Sequence, residues 1–137
     1  MRLIHSEDHM ASVQTISTLF DNHQALVLGL NNSVSLSTFS LLANSEVEIQ
    51  AKQSKPCGSF VIQACVQGSQ VIVGDVMKGV KIFDVVMQNQ QYILAEGPSS
   101  KSMSIWVNTI VPLAQNKFMV SDKERNMFIF ERHMKPR

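Results

Sequence analysis

Residues Val71–Val85, VIVGDVMKGVKIFDV, decide how the rest of this chain is read. Val, Ile and Phe suit a pleated, buried surface, while Gly74 and Asp75 tolerate the backbone of a tight turn. The pattern predicts two antiparallel strands, Gln70–Asp75 and Gly79–Val86, joined by a short polar link. Val71, Ile72 and Val73 are apolar at consecutive positions, so both faces of the first strand must meet apolar neighbours. That predicts a sheet packed on each side of the hairpin.

Slid along itself, the chain writes this hairpin three times. Gln70 falls over Gln24, Val73 over Val27, Val80 over Val34 and Ile62 over Ile16 at one common offset. At an offset one residue longer, Asp75 falls over Asp122, Ile82 over Ile129 and Phe83 over Phe130. The matching cores are QALVLGLNNSVSLSTF, QVIVGDVMKGVKIF and KFMVSDKERNMFIF. A repeat of roughly 40–50 residues carrying about four strands is the signature of propeller blades. A helical repeat would space apolar residues three and four apart, which these cores do not. The expected fold class is therefore all-β, about three consecutive four-stranded blades of an incomplete β-propeller.

Working outward, residues 1–11 read as a frayed lead, followed by units at about 12–57, 58–103 and 104–137. Ser12–Phe20 alone could be a helical face, but the repeat makes it a strand. Gln24–Leu30 and Ser33–Ser40 form the first hairpin around Asn31 and Asn32, and Ser45–Ala51 alternates as an outer strand with one wet face. Lys52–Gly58 and Gly97–Met103 read as polar connectors. Ser59–Val66 and Gln91–Glu96 flank the central hairpin, and the third unit supplies Ser104–Leu113, Lys117–Asp122 and Asn126–Arg132. A blade buries its faces only against its neighbours, so three units without a closing partner leave two faces bare. This predicts a portion of a larger ring, a truncated product, or a piece that completes itself by association.

A net charge of +1 over 137 residues gives no global field for nucleic acid or an anionic membrane. No apolar run approaches the roughly 18 residues of a membrane span, and Met1–Met10 is too polar for a secretory signal, so the cytoplasm or nucleus is expected. Cys57 and Cys65 have neither redox nor zinc spacing and read as reduced thiols, Cys65 packing as a small hydrophobe. Met77, Met87, Met119 and Met127 read as core or edge filler.

Groups that could carry chemistry are few. His5 and His9 are four apart, a spacing two metal ligands could share on a helix, but their segment is polar and unsupported, so plain surface histidines are expected. Gly74 has no Gly-rich spacing, following Lys-Ser pair or helix for a phosphate. Asp75 and Asp122 fall at equivalent turn starts, where Asp accepts backbone N–H bonds more readily than it pairs with a second carboxylate. Lys78 and Arg125 match three residues later. Asp75, Lys78, Asp122, Lys123 and Arg125, with Glu124 beside them, make the one candidate interaction rim for a protein partner or phosphates; its mixed signs argue against a nucleic-acid groove, and a solvated turn is the expected account. Arg132, His133, Lys135 and Arg137 add a short basic tail. Trp106, between Ile105 and Val107, is expected to pack within a blade. No catalytic residue, cofactor site or metal site is expected.

Val71–Phe83, with its hydrophobic strand, Val-Gly-Asp, hydrophobic-Met-basic step and second strand, resembles one large β-propeller scaffold family. That family includes the damage-specific DNA-binding large subunit, the cleavage-and-polyadenylation specificity factor large subunit and a splicing-factor counterpart. Trp106 in SIWVNTIVPL sits where two of these members carry Trp, and Phe118–Phe130, FMVSDKERNMFIF, looks closest to the polyadenylation member. The likeness covers about Gln24–Arg132 and falls in the last of that family's propellers; the Gly97–Met103 connector is longer here. The resemblance implies a non-catalytic scaffold in the nucleus, with other proteins of a multi-subunit complex as partners and nucleic acid contacted indirectly. It implies either the adaptor that links a cullin-type ubiquitin ligase to substrate receptors in the DNA-damage response, or a subunit of pre-mRNA cleavage, polyadenylation or splicing machinery.

Overall fold

The computed structural model describes residues 1–3, 6, 13–19, 25–30, 32–41, 47–57, 59–77, 79–89, 91–96, 101–102, 105–114 and 116–131. They form three antiparallel sheets, each from one contiguous run of chain. The first contains β1 (Val13–Leu19), β2 (Ala25–Leu30), β3 (Ser33–Leu41) and β4 (Val47–Pro56). The second contains β5 (Val61–Gln67), β6 (Gln70–Asp75), β7 (Gly79–Gln88) and β8 (Gln91–Glu96), with β9 (Lys101–Ser102) paired to β7. The third contains β10 (Val107–Pro112), β11 (Lys117–Asp122) and β12 (Met127–Glu131). Strand order within each sheet follows the chain, as in successive blades of a β-propeller.

The deciding stretch forms the hairpin its sequence predicts, with Gln70 opposite Asp84, Ile72 opposite Ile82 and Gly74 opposite Val80. Its consecutive apolar residues divide between two cores. Val71 and Val73 join a cluster with Val34, Leu36 and Cys57 of the first-sheet side. Ile72 joins a second cluster with Val107, Ile110 and Val120 of the third sheet. All three are essentially fully buried, so each contributes about 1.5–3 kcal/mol by leaving water. The middle sheet is therefore sandwiched.

Gly74 has a packing role. A Cβ at that position would come within 2.4 Å of Val107 Cγ1 and 2.9 Å of Ile110 Cδ1. The missing side chain lets the first strand of the third sheet close onto β6. Glutamine amides then tie the sheets together. Gln63 Nε2 donates to the Ile110 carbonyl at 3.2 Å, and its Oε1 accepts the Ile110 N–H at 2.8 Å. Gln67 Nε2 donates to the Lys117 carbonyl at 2.9 Å and also to that of Leu113. Between the outer strands, Gln53 Oε1 accepts the Leu94 N–H at 2.5 Å.

The repeat reaches into the irregularities. β1, β5 and β10 each carry a register shift at their first residues, between Val13 and Thr15, Val61 and Gln63, and Val107 and Thr109. This pairing corrects the first offset. Thr15 lies opposite Gly29 and Gly29 opposite Val34, just as Gln63 lies opposite Gly74 and Gly74 opposite Val80. Val34 and Val80 do correspond, but Leu28, not Val27, matches Val73, because the first hairpin connection is one residue shorter. Ile16 likewise matches Ala64, not Ile62.

Two predicted connectors contain strand. Residues Lys52–Pro56 continue β4, paired with Ser33–Ser37 of β3. Their polar character fits an outer strand, which needs only its backbone edge and one apolar face. Lys101 and Ser102, within the predicted Gly97–Met103 connector, pair with Val80 and Gly79. The predicted lead, apart from residues 1–3 and 6, and the tail from Arg132 lie outside the described residues, as do His5 and His9.

Candidate functional site

The turns that carry the candidate rim are built alike on the middle and third sheets. Asp75 Oδ1 accepts the N–H of Met77 at 3.0 Å and of Gly79 at 2.8 Å. Asp122 Oδ1 accepts the N–H of Glu124 at 2.9 Å and of Asn126 at 2.8 Å. Each carboxylate thus closes its own turn, two and four residues on, as its position at the turn start implies. Asn126 Nδ2 adds a bond to Asp122 Oδ2 at 2.8 Å. That side-chain bond, with the two backbone donors, holds the Asp122 carboxyl below its usual range.

A second bond fastens each turn to the residue before the sheet's first strand. Val76 N–H donates to the Phe60 carbonyl at 3.1 Å, and Lys123 N–H donates to the Trp106 carbonyl at 3.1 Å. Phe60 and Trp106 are therefore equivalent, each just before a fully buried valine, Val61 or Val107. Strand alternation sends the valine inward and leaves the aromatic at the rim.

The rim residues fare differently. Asp75 is 2 % exposed and turned to its own turn amides, so it shapes the rim from beneath. Asp122 is half-buried, while Lys123, Glu124 and Arg125 are exposed. Lys78 lies outside the described residues. Arg125 adopts a left-handed backbone, φ 73°, a conformation that favours Gly or Asn and is strained for a long side chain.

Trp106 departs from its expected place in the core. It is 46 % exposed, and Lys123 Nζ lies 4.0 Å from its ring centroid. That distance is well inside the range of cation–π attraction. Exposed Phe60 and Met77 accompany the neighbouring turn. Sequence reading missed Phe60 and Trp106 as a pair, although both precede a strand that starts with Val. Met77, Met87 and Met127 are also exposed, which leaves the edge and not the core for them.

Cys57 and Cys65 are both buried and unbonded to each other. Burial pushes the Cys57 thiol up to about 11, so it stays protonated at neutral pH. Among the described residues no group of three or more His, Cys, Asp or Glu could hold a metal ion.

Among solved structures, the chain is similar to the computationally designed Ika4 protein at 12 % identity, covering 97 % of this chain and 99 % of that one with a TM-score of 0.47. A superposition so loose says nothing about function. No curated protein matches the chain. The family model of the CPSF A subunit region matches residues 1–136, and the chain belongs to that family.

Proposed function

We propose that the chain is a non-catalytic propeller scaffold that presents its rim and outer surfaces to other proteins of a multi-subunit nuclear complex. The observation that carries this reading is the stack of like sheets in a chain of the CPSF A family, whose interior is filled by side chains of all three. Polar groups that could do chemistry are spent on architecture: Asp75 and Asp122 close turns, and Gln53, Gln63 and Gln67 bridge sheets. A stiff framework of this kind holds loops in fixed relation for recognition.

Within that scaffold role, the finer assignment is an adaptor linking a cullin-type ubiquitin ligase to substrate receptors, the role of one member of the family that Val71–Phe83 resembles. A second reading, a subunit of pre-mRNA cleavage, polyadenylation or splicing machinery, is favoured by Phe118–Phe130, whose SDKERN turn is the exposed rim of the third sheet. Affinity purification of the tagged chain from nuclear extract separates them. Enrichment of a cullin and its receptors supports the adaptor; enrichment of polyadenylation or splicing subunits supports the second. Recovery of the chain alone, at the level of an unrelated tagged control, sinks both.

A further inference from the structure

The geometry points to Phe60 and Trp106, the exposed aromatic pair at one rim, as a docking surface for an uncharged proline-rich segment in the polyproline II conformation. This deepens the scaffold reading and rests on it, since it names the chemistry of a partner.

The two rings hold the same place on adjacent sheets. Each precedes a fully buried valine, and each has its carbonyl bonded by the turn beside it, Phe60 by the N–H of Val76 and Trp106 by that of Lys123. Gly74, beside Asp75, packs on Val107, beside Trp106, so the two rims lie at the same end of the molecule. Facing sheets lie about 10 Å apart, which sets the spacing of the rings. A flat extended strand turns successive side chains to opposite sides, so residues three apart cannot both face the rim. A polyproline II helix repeats every three residues and rises about 9 Å in that turn. Its residues three apart therefore face one side, at the spacing the rings require.

Charge and exposure support the same occupant. The third-sheet turn sets Asp122 and Glu124 against Lys123 and Arg125, so it exerts no net pull on an acidic or a basic segment. What the rim offers is apolar surface: Phe60 is 37 % exposed, Trp106 46 %, and Met77, in the turn fastened to Phe60, 70 %. Proline rings pack on aromatic surface without charge, and the stiff helix arrives already ordered. Its carbonyls make no internal hydrogen bonds, so they can accept from Arg125 and from Lys123, whose Nζ stands 4.0 Å from the Trp106 ring centroid. An α-helix has spent most of its carbonyls internally and offers those donors few acceptors. A single-stranded nucleic acid brings phosphates to a turn whose charges cancel, so it gains little there.

Trp106 is the only tryptophan of the chain, so its fluorescence reports on this surface alone. The full chain is titrated with the neutral peptide Ac-Pro-Pro-Ala-Pro-Pro-Ala-Pro-Pro-NH2, with a glycine-serine peptide of the same length, with an alanine-rich helical peptide and with an oligouridylate. The expected result is a saturable change in emission with the proline peptide that is insensitive to added salt, and binding at least about tenfold weaker for the other three. Phe60→Ala should weaken proline-peptide binding about tenfold, while Phe60→Tyr, which keeps the ring, should retain it. Met87→Ala, exposed at the far end of β7, should leave it unchanged. Urea unfolding of the Phe60 variants separates lost binding from lost fold, and the retained affinity of Phe60→Tyr ties the effect to the ring.

No saturable response to the proline peptide, an equal response to the glycine-serine peptide, tighter binding of the helical peptide or the oligouridylate, or full affinity in Phe60→Ala would each overturn the proposal. A chain that recovers a nuclear complex from extract but ignores the proline peptide would sink this surface and leave the scaffold reading standing.

Discussion

Ile82 and Ile129 occupy the same register position on two copies of one sheet, opposite Ile72 and Met119 respectively. Ile82 is 3 % exposed, whereas Ile129 is 60 % exposed. The same holds along the whole face. Cys65, Ile72, Val80 and Ile82 of the middle sheet are covered by the third sheet. Their register equivalents Val111, Met127 and Ile129 are exposed, and Met119 is half-buried. Burial here is conferred by the adjoining sheet and not by residue type. Propeller blades behave this way because each supplies half of every interior it shares.

This contrast can be broken by measurement, and the largest effect is expected where the two faces differ most. Ile72→Ala should cost about 2–5 kcal/mol in urea unfolding, since it removes a side chain that is fully buried against the third sheet. Ile129→Ala should stay within about 0.5 kcal/mol. Equal losses would mean that the outward face of the third sheet is also buried in solution.

Gly74→Ala should come next, at about 1–3 kcal/mol, because the added methyl would meet Val107 Cγ1 at 2.4 Å. Ser121→Ala, at the equivalent position, removes only an exposed hydroxyl contact to Thr109 and should cost less. Paired thermal melts of the two variants provide the comparison. A neutral Gly74→Ala would show that the two sheets slide apart without penalty.

The two turns sharpen the same contrast on a smaller scale. Asp75→Ala strips acceptors from two N–H groups at a buried carboxylate and should cost about 1–3 kcal/mol. Asp122→Ala removes the same bonds where water can replace them, so the loss should be smaller. Because Asp122 is held below its ordinary value of 3.8, its contribution is present above that pH and fades as pH falls through the lower folded value. Comparing Asp122→Ala with the parent from pH 6 to 2 should show the stability gap closing on acidification.

The smallest expected effect is alkaline. Cys57 carries its proton to about 11 in the fold against an ordinary 9.0, so unfolding releases a proton only above pH 9. The Cys57 contribution should be constant below that pH and decline between about 9 and 11, and Cys57→Ala should remove that part of the decline. Iodoacetamide should modify Cys57 slowly at pH 8 until denaturant is added.

Much of this was legible in the sequence for a physical reason. Three consecutive apolar residues at Val71–Val73 demand partners on two sides, and the structure supplies two cores. Asp at a turn start must find donors, and Asp75 and Asp122 find the same ones. The register of the first unit was not legible from matched residues, because connection lengths shift each strand separately. The valine that begins β1, β5 and β10 was the better guide, since a register shift follows it every time.

Trp106 was misplaced because its neighbours Ile105 and Val107 look like core. In a strand approach, adjacent residues point to opposite sides, and burial of Val107 puts Trp106 outside. The close approach at Gly74 was also hidden: the sequence suggested a turn glycine, but Gly74 lies within β6, and the strand that presses on it arrives from another repeat.

The Gln63 amide meets both the N–H and the carbonyl of Ile110, so it imitates a backbone peptide and stitches one sheet's interior to the next sheet's main chain. A seam knitted in this manner resists shear as a hydrogen-bonded ladder does, with fixed spacing and fixed direction. Torque applied to one sheet is handed to its neighbour, not absorbed by greasy slippage, and whatever grips the third sheet also steers the second.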